Sequence, residues 1–252
     1  MRSFLECTSA PTQKQTNDSI LRSIVIEVKN LTKSFPLSRQ KSKATQTLAQ
    51  LNIIKNISFS IQKGSWTSLM GPSGSGKSTL LSLLAGLDTP TSGDIEILGT
   101  KINQLGEEQK ADFRAQKMGF VFQSFRLLPT LSAFENVCVP LELQGIRDHG
   151  FAHELLQRVG LKERSHHLPS QLSGGEQQRV AVARAFVTKP AVLFADEPTG
   201  NLDSKNGAEV LNLLKSLQNE NRSTLIVVTH DPSVAEQGNS LIRLRDGEIV
   251  GS

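Results

Sequence analysis

The sequence lacks several features that mark large classes of proteins. No apolar run approaches the roughly 18 residues that cross a membrane as a helix, and the strongest run, residues 225–228, has the length of a strand. Residues 1–19 have no apolar centre of the kind found in secretory signals, so we expect the protein to stay in the cytosol. The sequence contains only Cys7 and Cys138, which excludes a disulfide framework and favours reduced thiols.

Neither sign of charge dominates the sequence. The 28 lysines and arginines against 24 aspartates and glutamates give a net charge of +4, spread along the chain. Such a mild excess permits an anionic ligand but gives no reason to expect nucleic acid. We expect residues 1–22 to form a flexible polar arm and residues 23–252 to form one domain, in which residues 38–50 are a polar, basic loop with no assigned role.

Apolar periodicity predicts strands that alternate with helices. Strands are expected in IVIEV, NISFSI, WTSLM, AVLFAD and LIVVTH, and a terminal hairpin is expected around Asp246 and Gly247. Helices are expected in LLSLLAGL and in the segment where Val210, Leu213, Leu214 and Leu217 follow helical spacing. Because this alternation favours a mainly parallel sheet, ligands are expected at the carboxyl ends of its strands.

The middle of the chain, about residues 103–170, differs from the rest in composition. Its segments are polar and helix-prone, with Pro129, Pro140 and Pro169 as expected breaks. We interpret this region as a largely helical subdomain inserted into the α/β core.

A glycine-rich stretch, GPSGSGKST, lies between a predicted strand and a predicted helix. It matches GxxxxGK(S/T), whose backbone N–H groups surround phosphates while the next helix adds its positive end. Lys77 is expected to neutralise β- and γ-phosphate oxygens, and the Ser78 hydroxyl to bind magnesium. The predicted nucleotide contacts here are Gly71, Pro72, Ser73, Gly74, Ser75, Gly76, Lys77, Ser78 and Thr79. The alternative is a glycine-rich turn with a surface lysine.

Polar side chains follow three further apolar runs. Asp196 and Glu197 end AVLFADEP, where Asp196 suits a magnesium shell and Glu197 suits a general base beside the γ-phosphate. His230 ends LIVVTH and is a candidate γ-phosphate contact that orients Glu197 and water. Gln123 follows FVF and could bind magnesium through its amide oxygen. The alternatives are a solvated acidic turn and a structural histidine.

Together these motifs resemble those of the ATP-binding-cassette (ABC) ATPases. In order they are GPSGSGKST, FVFQ, LSGGEQQ, VLFADEP, NLD and TH, from about Ile24 to the C-terminus. The resemblance implies an α/β fold with a P-loop NTPase core, a mainly parallel sheet, an antiparallel β subdomain and an inserted α-helical subdomain. It also implies ATP and Mg²⁺ as cofactors, ATP hydrolysis as the activity, and Lys77, Glu197 and His230 as catalytic residues.

LSGGEQQ offers a second phosphate site that has no lysine and no magnesium-binding hydroxyl. Its serine and glycines begin a helix, whose dipole favours an anion. In the family that the chain resembles, two cassettes pack head to tail, so this motif is expected to contact the ATP of a second copy. The residues assigned to that contact are Ser173, Gly174, Gly175 and Glu176, with Asp203 in the NLD loop. Taken alone, SGG also fits an ordinary N-capped helix.

One position departs from the family pattern, because this sequence contains no tyrosine. The family usually stacks adenine on an aromatic residue shortly after the first strand, and Phe35 stands at that place with a similar ring face. We therefore expect Phe35 to contact adenine. The alternative is a phenylalanine of the core.

The resemblance is strongest to the lipoprotein-releasing, macrolide-export and YbbA-like ATPases, and above all to the YbbA-like kind. It implies an integral membrane permease as a partner, a peripheral location on the cytoplasmic face of the inner membrane, and export or extraction of lipoprotein, lipid or other hydrophobic cargo. A regulatory ATPase that drives an envelope or division machine without cargo is the alternative. Residues 125–135, behind Gln123, are expected either to receive a permease helix or to form the core of the insert.

Overall fold

The structure, a computed structural model, describes residues 24–36 and 50–251. The predicted N-terminal arm and nearly all of the predicted 38–50 loop lie outside these residues, and Gln50 already belongs to a strand.

The described residues form strands and helices in the alternation that the sequence predicts. The strands are β1 (Ile24–Pro36), β2 (Gln50–Gln62), β3 (Trp66–Met70), β4 (Ser92–Ile97), β5 (Thr100–Lys101), β6 (Met118–Phe122), β7 (Val192–Asp196), β8 (Thr224–Thr229), β9 (Ser240–Arg245) and β10 (Glu248–Ile249). The helices are α1 (Lys77–Leu84), α2 (Glu107–Lys117), α3 (Ala133–Leu143), α4 (Gly150–Arg158), α5 (Gly174–Phe186), α6 (Ser204–Asn221) and α7 (Pro232–Ala235). Short 3₁₀ turns cover Ile102–Gln104, Lys162–Arg164 and Pro169–Gln171.

The main sheet has the strand order β10-β9-β3-β8-β7-β6, in which all neighbours except β10 and β9 are parallel. Every residue of β8 and nearly all of β7 is buried, as expected for strands covered on both faces. The predicted hairpin joins β9 to β10, where Asp246 and Gly247 both have left-handed backbone with φ of 50° and 82°. This backbone matches the turn that the Asp-Gly pair predicts.

A second sheet is antiparallel and has the order β2-β1-β4-β5. In β2, Ile57 and Ile61 are buried while the polar residues between them are exposed, as the alternating pattern predicts. The mixed α/β architecture with an antiparallel sheet beside a parallel one confirms the predicted fold class.

The boundary of the helical region differs from the prediction. Residues 118–122, which fall inside the predicted helical insert, form β6 and pair in parallel with β7 in the main sheet. A start near residue 103 is therefore too early, and the predominantly helical part follows β6. Pro140 lies inside α3 rather than ending it, whereas Pro169 begins a 3₁₀ turn.

Two apolar clusters lie on either side of the main sheet. One joins the helical region to α5 and α6 and includes Val210, Leu214 and Leu217, with the partly buried Leu213 packed against it. The other joins α1 to the antiparallel sheet. Cys138 is buried in the first cluster, and burial raises the pKa of its thiol to about 11, so it remains a neutral core residue. No helix among the described residues has the length and apolar character needed to cross a membrane.

Candidate active site

The parallel register aligns the carboxyl ends of four strands. Met70 pairs with Thr229, and Asp196 pairs with both Val228 and Phe122. Each of these strands is followed directly by a predicted site residue, so the phosphate loop, His230, Glu197 and Gln123 start at one edge of the sheet. This is the edge at which ligands bind in open α/β sheets.

The phosphate loop is shaped by close backbone approaches at two glycines. A Cβ on Gly71 would lie 2.1 Å from the carbonyl oxygen of Leu244, at the end of β9. Gly76 has φ of 102°, and a Cβ there would lie 3.0 Å from the carbonyl oxygen of Ile53. The loop is therefore held against β2 and the β9–β10 hairpin, and only glycine fits at these points.

The lysine of this loop is folded over its backbone. Lys77 Nζ donates hydrogen bonds to the carbonyl oxygens of Gly71 at 2.7 Å and Pro72 at 2.9 Å. Pro72, Ser73 and Gly74 are exposed, and α1 starts at Lys77, with Ser78 and Thr79 in its first turn. An ammonium group, exposed loop amides and a helix N-terminus together make a site for phosphate oxygens.

The site also fits magnesium. The buried Ser75 hydroxyl has no hydrogen-bond partner within the described part of the chain, which marks this cradle as a place for an additional polar group. Ser78, Gln123 and Asp196 offer oxygen donors of the kind that Mg²⁺ prefers. Burial first, and then the neighbouring Glu197, raise the pKa of the Asp196 carboxyl, so a cation beside it would stabilise its ionised form.

No cluster of three or more histidine, cysteine, aspartate or glutamate side chains among residues 24–36 and 50–251 could hold a metal. Mg²⁺ keeps water ligands and phosphate oxygens alongside few protein oxygens, so its binding at a nucleotide site does not require such a cluster.

Glu197 and His230 form a hydrogen-bonded pair. His230 Nδ1 lies 2.7 Å from Glu197 Oε1, and the Thr229 hydroxyl donates to Glu197 Oε2 at 3.3 Å. The Glu197 backbone is left-handed, with φ of 46°, and its N–H donates to the carbonyl of Val228 at 2.9 Å. Left-handed backbone is uncommon outside glycine and concentrates at functional positions. The carboxylate is therefore held on both oxygens, while the imidazole remains largely exposed, at 69%.

Gln123 is joined to the loop that follows β7. Its side-chain Nε2 donates to Asn201 Oδ1 at 3.2 Å, and Asn201 Nδ2 donates back to the Gln123 carbonyl at 3.0 Å. A Cβ on Gly200 would lie 2.7 Å from Gln123 Nε2, so the two segments are in close contact. The sequence motifs predict Gln123 and the NLD loop at the site but not this pairing, because 78 positions separate the two residues.

Phe35 lies at the end of β1, opposite Leu51 of β2, and 42% of its surface is exposed. The alternative of a core phenylalanine is therefore wrong. Lys33 Nζ lies 4.7 Å from the centroid of the Phe35 ring. The sequence analysis assigned no role to Lys33.

The signature helix, α5, begins with a reciprocal cap. Glu176 N–H donates to Ser173 Oγ at 3.3 Å, and Ser173 N–H donates to Glu176 Oε2 at 2.8 Å. The second of these bonds is the first cause that lowers the pKa of the Glu176 carboxyl. The cap predicted as the alternative is thus present, and the N–H groups of Gly174 and Gly175 take no part in it.

Asp203 caps the next helix, α6, and lies beside the signature helix. Its carboxylate accepts hydrogen bonds from the N–H groups of Lys205 and Asn206, both at 3.0 Å, and from Asn206 Nδ2 at 2.6 Å. These bonds, led by the Asn206 N–H, lower the pKa of the Asp203 carboxyl. A Cβ on Gly175 would lie 2.6 Å from Asn206 Oδ1, so Asn206 connects the NLD loop to the signature motif.

Within one chain, the signature motif and the phosphate loop do not form one continuous phosphate-binding site. Among residues 24–36 and 50–251, no hydrogen bond or ion pair joins Ser173, Gly174, Gly175 or Glu176 to residues 71–79. Gln178 of α5 instead donates from Nε2 to the Pro198 carbonyl at 2.7 Å, a buried contact that the sequence analysis missed. The polar pair Gln177-Gln178 ahead of VAVARAF was the available signal.

A mostly apolar groove of about 550 Å³ lies behind Gln123. Of the predicted residues 125–135, only Arg126 lines it. Leu127 and Phe134 pack against the helical core, so the alternative that these apolar residues belong to the insert is correct for these two. Other lining residues are Leu87, Ala111, Arg114, Phe122, Pro140, Leu143 and Arg184.

Comparisons with known proteins identify the family of the chain. The family model described as ABC transporter matches residues 54–200. The chain is 46% identical to the uncharacterized ABC transporter ATP-binding protein MJ1508 of Methanocaldococcus jannaschii, over 90% of this chain and 98% of that protein. It is 49% identical to the uncharacterized ABC transporter ATP-binding protein YbbA of Escherichia coli, over 79% and 89% of the two chains.

Two further matches bear on assembly. The macrolide export ATP-binding/permease protein MacB of Bdellovibrio bacteriovorus is 42% identical over 89% of this chain, which spans 33% of that protein. A dimeric structure of a post-hydrolysis state of the ATP-binding cassette MJ0796, bound to ADP and Pi, superposes with a TM-score of 0.79 at 40% identity, over 90% of this chain and 97% of that one. The resemblance inferred from the motifs is therefore confirmed, and the chain belongs to the ABC transporter family as an ATP-binding-cassette ATPase.

Proposed function

We propose that this chain is the ATP-hydrolysing subunit of a bacterial ABC transporter and that two copies close head to tail around ATP. The observation that carries the proposal is the separation of two phosphate-binding elements on one chain. The phosphate loop has a lysine and a magnesium-binding hydroxyl, whereas the signature helix has a capped N-terminus and no hydrogen bond to that loop. The dimeric MJ0796 structure with ADP and Pi supports this arrangement.

In this proposal each residue of the sheet edge has a distinct task. Lys77 leaves the carbonyl oxygens of its own loop and binds phosphate oxygens, and Phe35 stacks on adenine. Magnesium, when bound by Ser78, Gln123 and Asp196, neutralises charge on the phosphates. Glu197 accepts a proton from the attacking water, and His230 orients the Glu197 carboxylate through the hydrogen bond between Nδ1 and Oε1.

The partner copy is proposed to complete the site through its signature motif. The Ser173 hydroxyl and the N–H groups of Gly174 and Gly175 would contact the γ-phosphate, favoured by the dipole of α5. Asp203 lies beside this motif through Asn206, so it would contact the same partner. Binding of ATP therefore stabilises the dimer, and hydrolysis releases it.

A permease subunit is proposed to occupy the groove behind Gln123. The groove is mostly apolar and carries Arg114, Arg126 and Arg184, which suits an amphipathic helix with an acidic side chain. MacB, whose name joins ATP-binding with permease, supports a permease as the partner type. The chain would then lie peripherally on the cytoplasmic face of the inner membrane and drive export or extraction of lipoprotein, lipid or other hydrophobic cargo.

The dimer is tested with Glu197→Gln, which should bind ATP and turn it over slowly. Light scattering after size exclusion should show a monomer without nucleotide and a dimer with ATP. Adding Ser173→Arg should abolish the ATP-dependent dimer, because the large cationic side chain of arginine fills the anion site. ATP binding by the monomer should remain intact. Ser60→Arg, on an exposed position of β2, is the control for added charge.

Loss of ATP binding in Ser173→Arg would place Ser173 in the chain's own site and contradict the half-site arrangement. A Glu197→Gln protein that stays monomeric at saturating ATP would contradict ATP-driven closure.

The permease is tested by affinity purification from solubilised membranes. The intact protein should recover one integral membrane protein, and Leu143→Glu should lose it, because Leu143 lines the groove and is 79% exposed. Val250→Glu, at an exposed residue after β10, should keep it. Recovery of no membrane protein by the intact chain would contradict the transporter assignment.

A further inference from the structure

A buried lysine lies beneath the residue proposed to stack on adenine. Lys33 is two positions before Phe35 on β1, and its side chain is only 11% exposed. Its Nζ lies 2.7 Å from Asp88 Oδ1, 2.8 Å from the Thr89 carbonyl oxygen and 4.7 Å from the Phe35 ring centroid. A lysine is rarely buried unless it is paired, and Lys33 is paired with Asp88.

The partners of Lys33 belong to the loop that follows α1. The Asp88 N–H donates to the Ser82 carbonyl of α1 at 3.3 Å, and Asp88 Oδ1 also accepts from the Thr89 N–H at 2.7 Å. The same loop holds the backbone of β1, because Ser34 N–H donates to Thr91 Oγ1 at 2.9 Å. The end of β1 that carries Phe35 is thus fixed to the helix that begins at the phosphate loop.

The ammonium group of Lys33 also limits which face of the Phe35 ring a ligand can contact. A cation within about 6 Å of a ring centroid is attracted to the ring face, and Lys33 occupies that place. Because Lys33 is held by Asp88 and Thr89, the ring face above it is closed to a ligand, and the ring cannot turn without breaking the contact.

We propose that Lys33, held by Asp88, is a positioning residue that fixes Phe35 so that one ring face receives the adenine base. This inference rests on the proposed ATP site and deepens it. Lys33 itself does not contact phosphate in this proposal. It acts through Phe35, and its removal should weaken the contribution of the base to nucleotide affinity and leave the contribution of the phosphates intact.

The experiment compares ADP with inorganic pyrophosphate by calorimetry, because the two ligands differ by the adenosine group. The dissociation constant of pyrophosphate divided by that of ADP measures the contribution of adenosine to affinity. Phe35→Ala should lower this ratio about tenfold, in line with loss of base–aromatic stacking. Lys33→Met should lower it about fivefold, and Lys33→Arg, which keeps a cation over the ring, should restore most of it.

Two controls separate positioning from a general effect on folding. Lys29→Met removes the other ion-paired lysine of β1, which is 60% exposed, and should leave the ratio unchanged. In a Phe35→Ala background, Lys33→Met should produce no further change, because the residue through which it acts is gone. For ATP hydrolysis, Lys33→Met should raise KM and leave kcat unchanged.

The outcomes distinguish this inference from the proposed function. If Phe35→Ala leaves ADP affinity unchanged, the proposed adenine site is wrong. If Phe35→Ala weakens ADP binding but Lys33→Met does not, only the positioning role is wrong. Equal losses of ADP and pyrophosphate affinity in Lys33→Met would also overturn it, since they would show that Lys33 supports the phosphate loop.

Discussion

The contact between Gly175 and Asn206 makes one substitution particularly informative. A methyl group at Gly175 would lie 2.6 Å from Asn206 Oδ1 and 2.9 Å from its Cγ, both well inside contact distance. Gly175 is buried, so the group has no open space to occupy. Asn206 would have to leave its place, and its hydrogen bond to Asp203 Oδ2 would break. Gly175→Ala should therefore separate the signature helix from the NLD loop.

The expected loss of stability follows from packing. Overpacking by one methyl group costs about 1–3 kcal/mol, and the reduced freedom of alanine in the unfolded chain returns about 0.5–1 kcal/mol. The difference is a net loss of about 0–2.5 kcal/mol, and a loss near its midpoint of about 1 kcal/mol lowers Tm by about 2–4 °C for a domain of this size. Thermal unfolding followed by circular dichroism measures it, and ATPase turnover should fall as well, because the start of α5 moves.

Two variants of the same region provide the control and the refutation. A methyl group at Gly174 would meet only ordinary contacts, at 3.7 Å to Phe125 and 3.8 Å to Leu202, so Gly174→Ala should keep the wild-type Tm or raise it slightly. Asn206→Ala should relieve the clash, so the double variant with Gly175→Ala should lose less stability than the sum of the singles. Additivity within about 0.5 kcal/mol would refute this packing argument.

Further predictions concern the sheet edge. Lys77→Ala should lose most ATP affinity in a binding assay, and unchanged affinity would contradict the cradle. Glu197→Gln and His230→Ala should each bind ATP normally yet slow single-turnover hydrolysis about a hundredfold, and rates within a few-fold of wild type would place the base elsewhere. Because the folded-state pKa of Asp196 is raised, ionising it opposes folding as pH rises through that pKa. Metal-free Asp196→Asn should therefore melt higher than wild type at neutral pH, and this gain should vanish below about pH 4.

The sequence predicts best the features that depend on residues within one short, continuous stretch. The phosphate loop needs its glycines, Lys77 and Ser78 within nine positions between a strand and a helix, and the structure has that arrangement. Asp196 ends β7, and Glu197 and His230 directly follow β7 and β8, whose parallel pairing brings all three to one edge. In each case the local pattern and the sheet rule together are sufficient.

The parts that were missed depend on residues far apart in the chain. The apolar run MGFVF that forms β6 is short and lies within a polar region, and its pairing with β7 shows that it belongs to the main sheet. Lys33 and Asp88 are separated by 55 positions, and neither follows a motif. The groove was predicted behind Gln123, but its walls come largely from β6, α2, α3 and α5 rather than from residues 125–135. The pattern of residues within one segment does not reveal contacts between segments that are far apart in the sequence.

One short segment, residues 197–206, contacts His230, Gln123 and the signature helix. At its start Glu197 holds His230, and in its middle Asn201 is paired with Gln123. At its end it packs on the signature helix. Gln123 directly follows Phe122, which lines the groove. A partner bound in the groove would therefore press on this segment. Hydrogen bonds at the first two points and close packing at the third hold the segment, so we expect displacement at one contact to be accommodated at the others. Under the proposed function we therefore expect binding in the groove to change the alignment of the Glu197 carboxylate through the backbone of these residues.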